Sequence, residues 1–160
     1  MKKTSILLIL TSLFIIFLFK LYNVDGERRI TDFEKVIDPR LEYYYQEFKD
    51  DALERGVHPN PNNYLFQIQI VKDLKTLEGR KVRGLSSSLF NTRVISIDEE
   101  VYLCKDRNFI QALMYHELGH AFFDLDHTVD YGIMDPRLFK YTSFKDPEKK
   151  EELIDNLFKY

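Results

Sequence analysis

The stretch from Asp106 to Phe123 constrains this chain most. Phe109, Ile110, Leu113, Met114 and Leu118 recur at helical spacing behind Asp106, a residue type suited to the cap position, so the segment reads as a helix. Set into it is His116-Glu117-Leu118-Gly119-His120. Two histidines four apart on a helix are turned by about 40° and raised by about 6 Å relative to each other, so both imidazoles reach one point from the same face.

The flanking sequence reads as strands and further helices. Tyr64 to Val71 alternates apolar and polar residues as a half-buried strand does, and Thr92 to Asp98 repeats the pattern around Val94, Ile95 and Ile97. Between them, Gly79, Gly84 and Ser86-Ser87-Ser88 read as a loop and an edge strand. No Gly-x-Ser-x-Gly elbow surrounds the serines, which favours a solvated turn over a nucleophile. Upstream, Thr31 to Arg55 reads as helix in two pieces broken before Pro39, with Thr31 and Asp38 as caps. Leu41, Tyr44, Tyr45, Phe48 and Ala52 mark its core face and Gly56 its stop. The tyrosines at 43–45 are expected in the core rather than on a stacking surface. His58, in a Pro/Asn loop, is expected at the surface, and Cys104 as a small core residue. After the histidine-bearing helix comes a loop from Asp124 to Pro136. Pro147 then opens a last helix with Leu153, Ile154, Leu157 and Phe158 on one face and a charged first turn.

Composition removes several function classes. With 160 residues, 44% apolar and 31% charged, the chain is long enough for one domain with a core and is neither disordered nor a polytopic membrane protein. One cysteine permits no internal disulfide and no thiolate metal site. The 23 basic and 26 acidic residues give a net charge of −3, which speaks against a nucleic acid partner. The apolar run Ile6–Phe19, preceded by Lys2 and Lys3 and closed by Lys20, reads as an export signal or an uncleaved anchor spanning residues 1–26. Val24-Asp25-Gly26 offers small residues for cleavage although no Ala-x-Ala is present, and no cysteine follows for lipid attachment. Residues 27–160 then form an exported domain of net charge about −5, periplasmic, envelope-bound or extracellular. Membrane contact is expected only through the N-terminal segment.

The chemistry expected of the helix is that of a metal site. A zinc ion held by His116 and His120 lowers the pKa of a bound water to about 7, and Glu117 beside it can take the proton as that water attacks a carbonyl. The His-Glu-x-x-His spacing is thus a working unit.

The segment His116 to His127, followed by Gly132-Ile133-Met134-Asp135-Pro136, resembles the zinc metallopeptidases called metzincins. Within them it is most similar to small zinc metallopeptidases of exported bacterial proteins, whose third histidine also falls seven residues after the second. The resemblance implies that His116, His120 and a third residue bind Zn2+, that Glu117 is the general base, and that Met134 forms the floor of the site without ligating. Two positions depart from the usual pattern. Phe123 stands where the metzincin glycine ends the helix, and the usual third ligand falls on Asp126. We expect His127 instead, because imidazole is the commoner zinc ligand and Met134 then follows at a normal interval. Asp126 stays an alternative, as does a zincin layout with a glutamate from a later helix, Glu151. Tyr131 is a candidate donor to the oxyanion.

The fold expected is therefore a single α+β zincin-like domain, a twisted mixed sheet packed on the active-site helix, with a C-terminal helix. The expected function is that of a monomeric zinc metallopeptidase acting on a peptide or protein substrate laid along the edge strand near Gly84–Phe90. The alternative is an inactive zinc-binding envelope module with a structural or protein-binding role.

Overall fold

A computed structural model describes residues 35–59, 65–89, 92–128, 132–137 and 141–159. The N-terminal run, Thr31, Phe90 and Tyr131 lie outside the described residues.

Alternation in two central strands sets the architecture. Strands β1 (Lys35–Ile37), β2 (Leu65–Val71), β3 (Gly84–Leu89) and β4 (Thr92–Asp98) form one sheet in the order β1-β2-β4-β3. β1 and β4 run parallel to β2, whereas β3 runs antiparallel to β4, so the sheet is mixed and β3 is an edge. In register, Phe66, Ile68 and Ile70 stand beside Arg93, Ile95 and Ile97, which puts these six on one face. Gln67, Gln69 and Ser96 occupy the other, where the Gln69 amide donates to Ser96 Oγ at 3.1 Å.

Two helices cover the apolar face, α1 (Glu42–Glu54) and α3 (Arg107–Phe123). Phe66 reaches both, with ring centroids 5.5 Å from Tyr45 on α1 and 5.1 Å from Phe122 on α3. Phe48 continues the cluster to Tyr115 and, at 5.2 Å, to Phe158 just past the last helix α4 (Pro147–Leu157). Each such ring contributes roughly 1.5–3 kcal/mol by leaving water, which a chain without a disulfide needs from its core. The helix ends follow side-chain chemistry. Asp106 accepts from the Phe109 backbone N–H at 2.9 Å to start α3, and Asp146 accepts from Glu148 and Lys149 to start α4.

The architecture is thus α+β with a mixed four-stranded sheet, and the strands at 65–71 and 92–98, the long helix to Phe123 and the helix opened by Pro147 fall where the sequence puts them. Four local readings need correction. The first piece of the leading helix is strand at 35–37, where the β-branched pair Val36-Ile37 joins the edge of β2. Asp38 caps nothing; its carboxylate holds the backbone N–H and guanidinium of Arg40, and Leu41 takes the cap position. Cys104 is exposed at the end of the short helix α2 (Glu99–Cys104), which turns Val101 and Tyr102 to the core and leaves Cys104 outside. Ser86–Ser88 belong to edge strand β3 rather than to a turn.

Candidate metal centre

Helix α3 carries the site on the turn that faces β3. His116 and Glu117 are each only 4% exposed, while His120 is half-buried. Past Phe123 the chain must turn sharply, and Asp124 supplies the turn by adopting a left-handed conformation at φ 51° and ψ 33°. Its carboxylate is held by Arg93 of β4 at 2.9 Å, and the same guanidinium donates to the His120 carbonyl, so the helix end is stapled to the sheet. The left-handed residue stands one position later than the helix-ending glycine of the metzincin pattern, at Asp124 rather than at Phe123. Phe123 remains helical and packs on Phe48 and Phe158. The extra helical residue carries the loop round so that His127, and not Asp126, turns back over the helix.

His116, His120 and His127 form one cluster whose ligand atoms all lie within 4.8 Å of one another. The Nε2 atom of His116 is 3.1 Å from those of both His120 and His127. Two ligands of a tetrahedral ion bound at about 2.0–2.1 Å stand about 3.3 Å apart, so the spacing suits a common metal ion. The hydrogen bonds on the far side of the rings agree. His116 Nδ1 donates to the Ile133 carbonyl at 2.8 Å, and His120 Nδ1 donates to the Leu125 carbonyl. A carbonyl only accepts, so each Nδ1 carries the proton and each Nε2 presents a lone pair inward. Lone pairs converging at hydrogen-bond distance repel one another unless a cation lies between them. Burial also holds the His116 imidazole at a pKa of about 4, which keeps it neutral and ligand-competent at neutral pH. Three histidines of this chain can thus hold a metal ion.

Glu117 sits at the boundary between α3 and β3. Burial pushes its carboxyl up to about 8, opposed by a hydrogen bond from the Ser86 backbone N–H. A metal ion alongside favours the charged form and lowers this value again. Glycine at position 84 makes the approach possible, since a Cβ there would lie 2.5 Å from Glu117 Oε1. Beneath the histidines, Met134 packs against Gly119, where a Cβ would meet Met134 Sδ at 2.7 Å. The turn Gly132–Pro136 therefore acts twice: its Ile133 carbonyl orients His116, and its Met134 fills the space under the helix. Thr128 N–H donates to the Met134 carbonyl at 3.1 Å and closes the loop. Asp135, 2% exposed, accepts from the backbone and guanidinium of Arg137, whose charge holds its carboxyl at about 2.

The cluster is open to solvent through His127, which is exposed. Depressions of about 610 and 490 Å³ lie beside it, both touching Lys81, Gly84, Glu117 and His127. The other candidates lie elsewhere. Asp126 is exposed and outside the cluster, and Glu151 pairs with Arg55 at 2.6 Å, as does Asp155 at 2.7 Å. His58 is exposed, as expected. The carbonyls of Leu125 and Ile133 and the Ser86 N–H are the parts sequence reasoning missed, because every residue has a backbone and only the fold selects which groups converge. Gly84 reads in the sequence only as part of a loop and an edge strand. Comparison with known proteins gave no matching family model, no matching curated protein and no matching solved structure, so any function rests on the geometry of the site itself.

Proposed function

We propose that the protein is an exported zinc metallopeptidase with a zincin-like, metzincin-type arrangement. The convergence of the His116, His120 and His127 Nε2 atoms next to a buried Glu117 carries this reading. Neutral imidazoles also suit other transition metals, but a tetrahedral spacing with a carboxylate alongside favours zinc. Zinc supplies a Lewis acid that lowers the pKa of a water to about 7 and polarises a carbonyl. His116 and His120 are oriented for this by the Ile133 and Leu125 carbonyls, and His127 closes the set from the solvent side. Glu117 takes the proton of the attacking water and passes it to the leaving amine. Among the described residues β3 pairs with a strand on one side only, so an extended peptide can add along its outer side, where the Ser86 N–H already donates to Glu117. Export rests on the sequence of residues 1–26.

Glu117 also separates this reading from that of an inert zinc-binding module, which has no use for a buried carboxylate at that place. Cleavage of a mixed peptide library by the zinc-loaded protein and by its Glu117→Gln variant tests it. Cleavage by the parent and a loss of about 10²-fold or more in the variant are expected. Equal rates in the two, or no cleavage by the parent, would sink the peptidase reading.

A further inference from the structure

The depression of about 490 Å³ on the Leu113 and Pro136 side of the site has an unusual charge for a chain of net charge −3. Lys81, Arg83 and Arg137 line it, and among the described residues its one carboxylate is the buried Glu117. These cations differ in how far they are already neutralised. Lys81 pairs with Glu100 at 2.5 Å, and Arg137 is held by the buried Asp135 at 2.7 Å. Arg83 is exposed and has no acidic partner among the described residues; its guanidinium lies 5.7 Å from the centre of the Phe109 ring. Phe109, Leu113 and Glu117 follow one another at four-residue steps along one face of α3. At 1.5 Å per residue the Phe109 ring sits about 12 Å along the axis from Glu117, a span of three to four residues of extended peptide. The Asp98 backbone N–H donates to the Arg83 carbonyl at 2.9 Å, so the root of this side chain is fixed where β3 begins.

We infer that this depression selects peptides carrying an acidic side chain, which Arg83 receives. The inference builds on the peptidase reading by naming its substrate class. An arginine that has an aromatic face behind it and no acidic partner keeps its planar donors available for a carboxylate, the geometry in which a guanidinium binds best. The neighbouring Lys81 and Arg137 are tied to acids of their own, which leaves Arg83 as the cation that receives the ligand.

The test is equilibrium binding, which needs no turnover. Two randomised peptide pools, identical except that one carries Glu where the other carries Gln, are titrated by fluorescence polarisation against the full chain bearing Glu117→Gln. The same titration is run with Arg83→Gln and Arg83→Lys added. We expect the Glu pool to bind about three- to tenfold more tightly, as suits a partly exposed charge pair. That ratio should collapse towards one in Arg83→Gln and largely survive in Arg83→Lys, with the preference fading as salt is raised. Equal binding of the two pools, binding of neither, or a preference indifferent to Arg83→Gln would overturn the inference. The outcomes separate from those of the peptidase test. Peptide cleavage without a Glu preference sinks this inference alone. A Glu preference that depends on Arg83 in a protein that cleaves nothing leaves the acidic-peptide site standing and removes the peptidase.

Discussion

Gly84 and Glu117 occupy space that only one of them can fill: a Cβ on Gly84 would lie 2.5 Å from Glu117 Oε1 and 3.0 Å from its Cδ and Cγ. The proposed base is thus positioned by a side chain that is missing from the neighbouring strand. The carboxylate is the far end of a flexible chain, but at 4% exposure it has little room to retreat. Gly84→Ala should displace the carboxylate while leaving the histidines in place. We predict a fall in peptide cleavage of about 10- to 100-fold with metal content unchanged, since misplacing a reacting group by about 1 Å can cost 10² in rate. Parallel measurement of zinc per chain and initial rate checks this.

Gly119 and Met134 form the second close contact. An alanine at 119 brings a Cβ to 2.7 Å from Met134 Sδ and 3.4 Å from Leu157 Cδ1. Overpacking of this kind costs about 1–3 kcal/mol, against which the better helix propensity of alanine returns about 1 kcal/mol. Gly119→Ala should therefore lower stability by up to about 2 kcal/mol in denaturant titration. In a Met134→Ala background, where the clash is gone, the same substitution should be neutral or stabilising. Additive effects of the two substitutions would show that the contact is not the cause.

The Asp135–Arg137 pair gives the turn below the metal centre a pH dependence. Asp135 titrates at about 2 in the folded protein, below the value near 3.9 of an unfolded chain, chiefly because the Arg137 side chain donates to it. A depressed carboxyl contributes stability that is present above the unfolded value and is lost as pH falls through the folded one. The parent should thus exceed Asp135→Asn in stability at pH 7, by about 1–3 kcal/mol for a buried, charge-assisted hydrogen bond. The gap should narrow between pH 4 and pH 2. Unfolding of both proteins by urea across this range measures it, and a constant gap would contradict the assignment.

Much of the site was legible in the sequence because its chemistry depends on residue type and spacing. His116, Glu117 and His120 are placed by the helix period, and Asp106 marks the helix start. His127 was harder to read. The choice between it and Asp126 turns on whether the left-handed residue that ends the helix falls at position 123 or at position 124, and the deciding element is Asp124, stapled by an arginine thirty-one residues upstream. Residues 35–37 misled for a related reason: as a short segment they carry weak local preference, and pairing with β2 decides their state. The apolar periodicity that identified α1 from Glu42 onward needed no such partner, and the burial of Tyr45, Phe48 and Ala52 follows it.

His116, His120 and His127 are proposed to act together on one metal ion. Competition titration of zinc against a chromophoric chelator, on the parent and on His127→Ala and Asp126→Ala, tests it most directly. We predict one zinc per chain in the parent and in Asp126→Ala, and a loss of at least 10²-fold in affinity in His127→Ala. Full affinity in His127→Ala, or a parent that binds no zinc, would rule out a zinc site built from the three histidines.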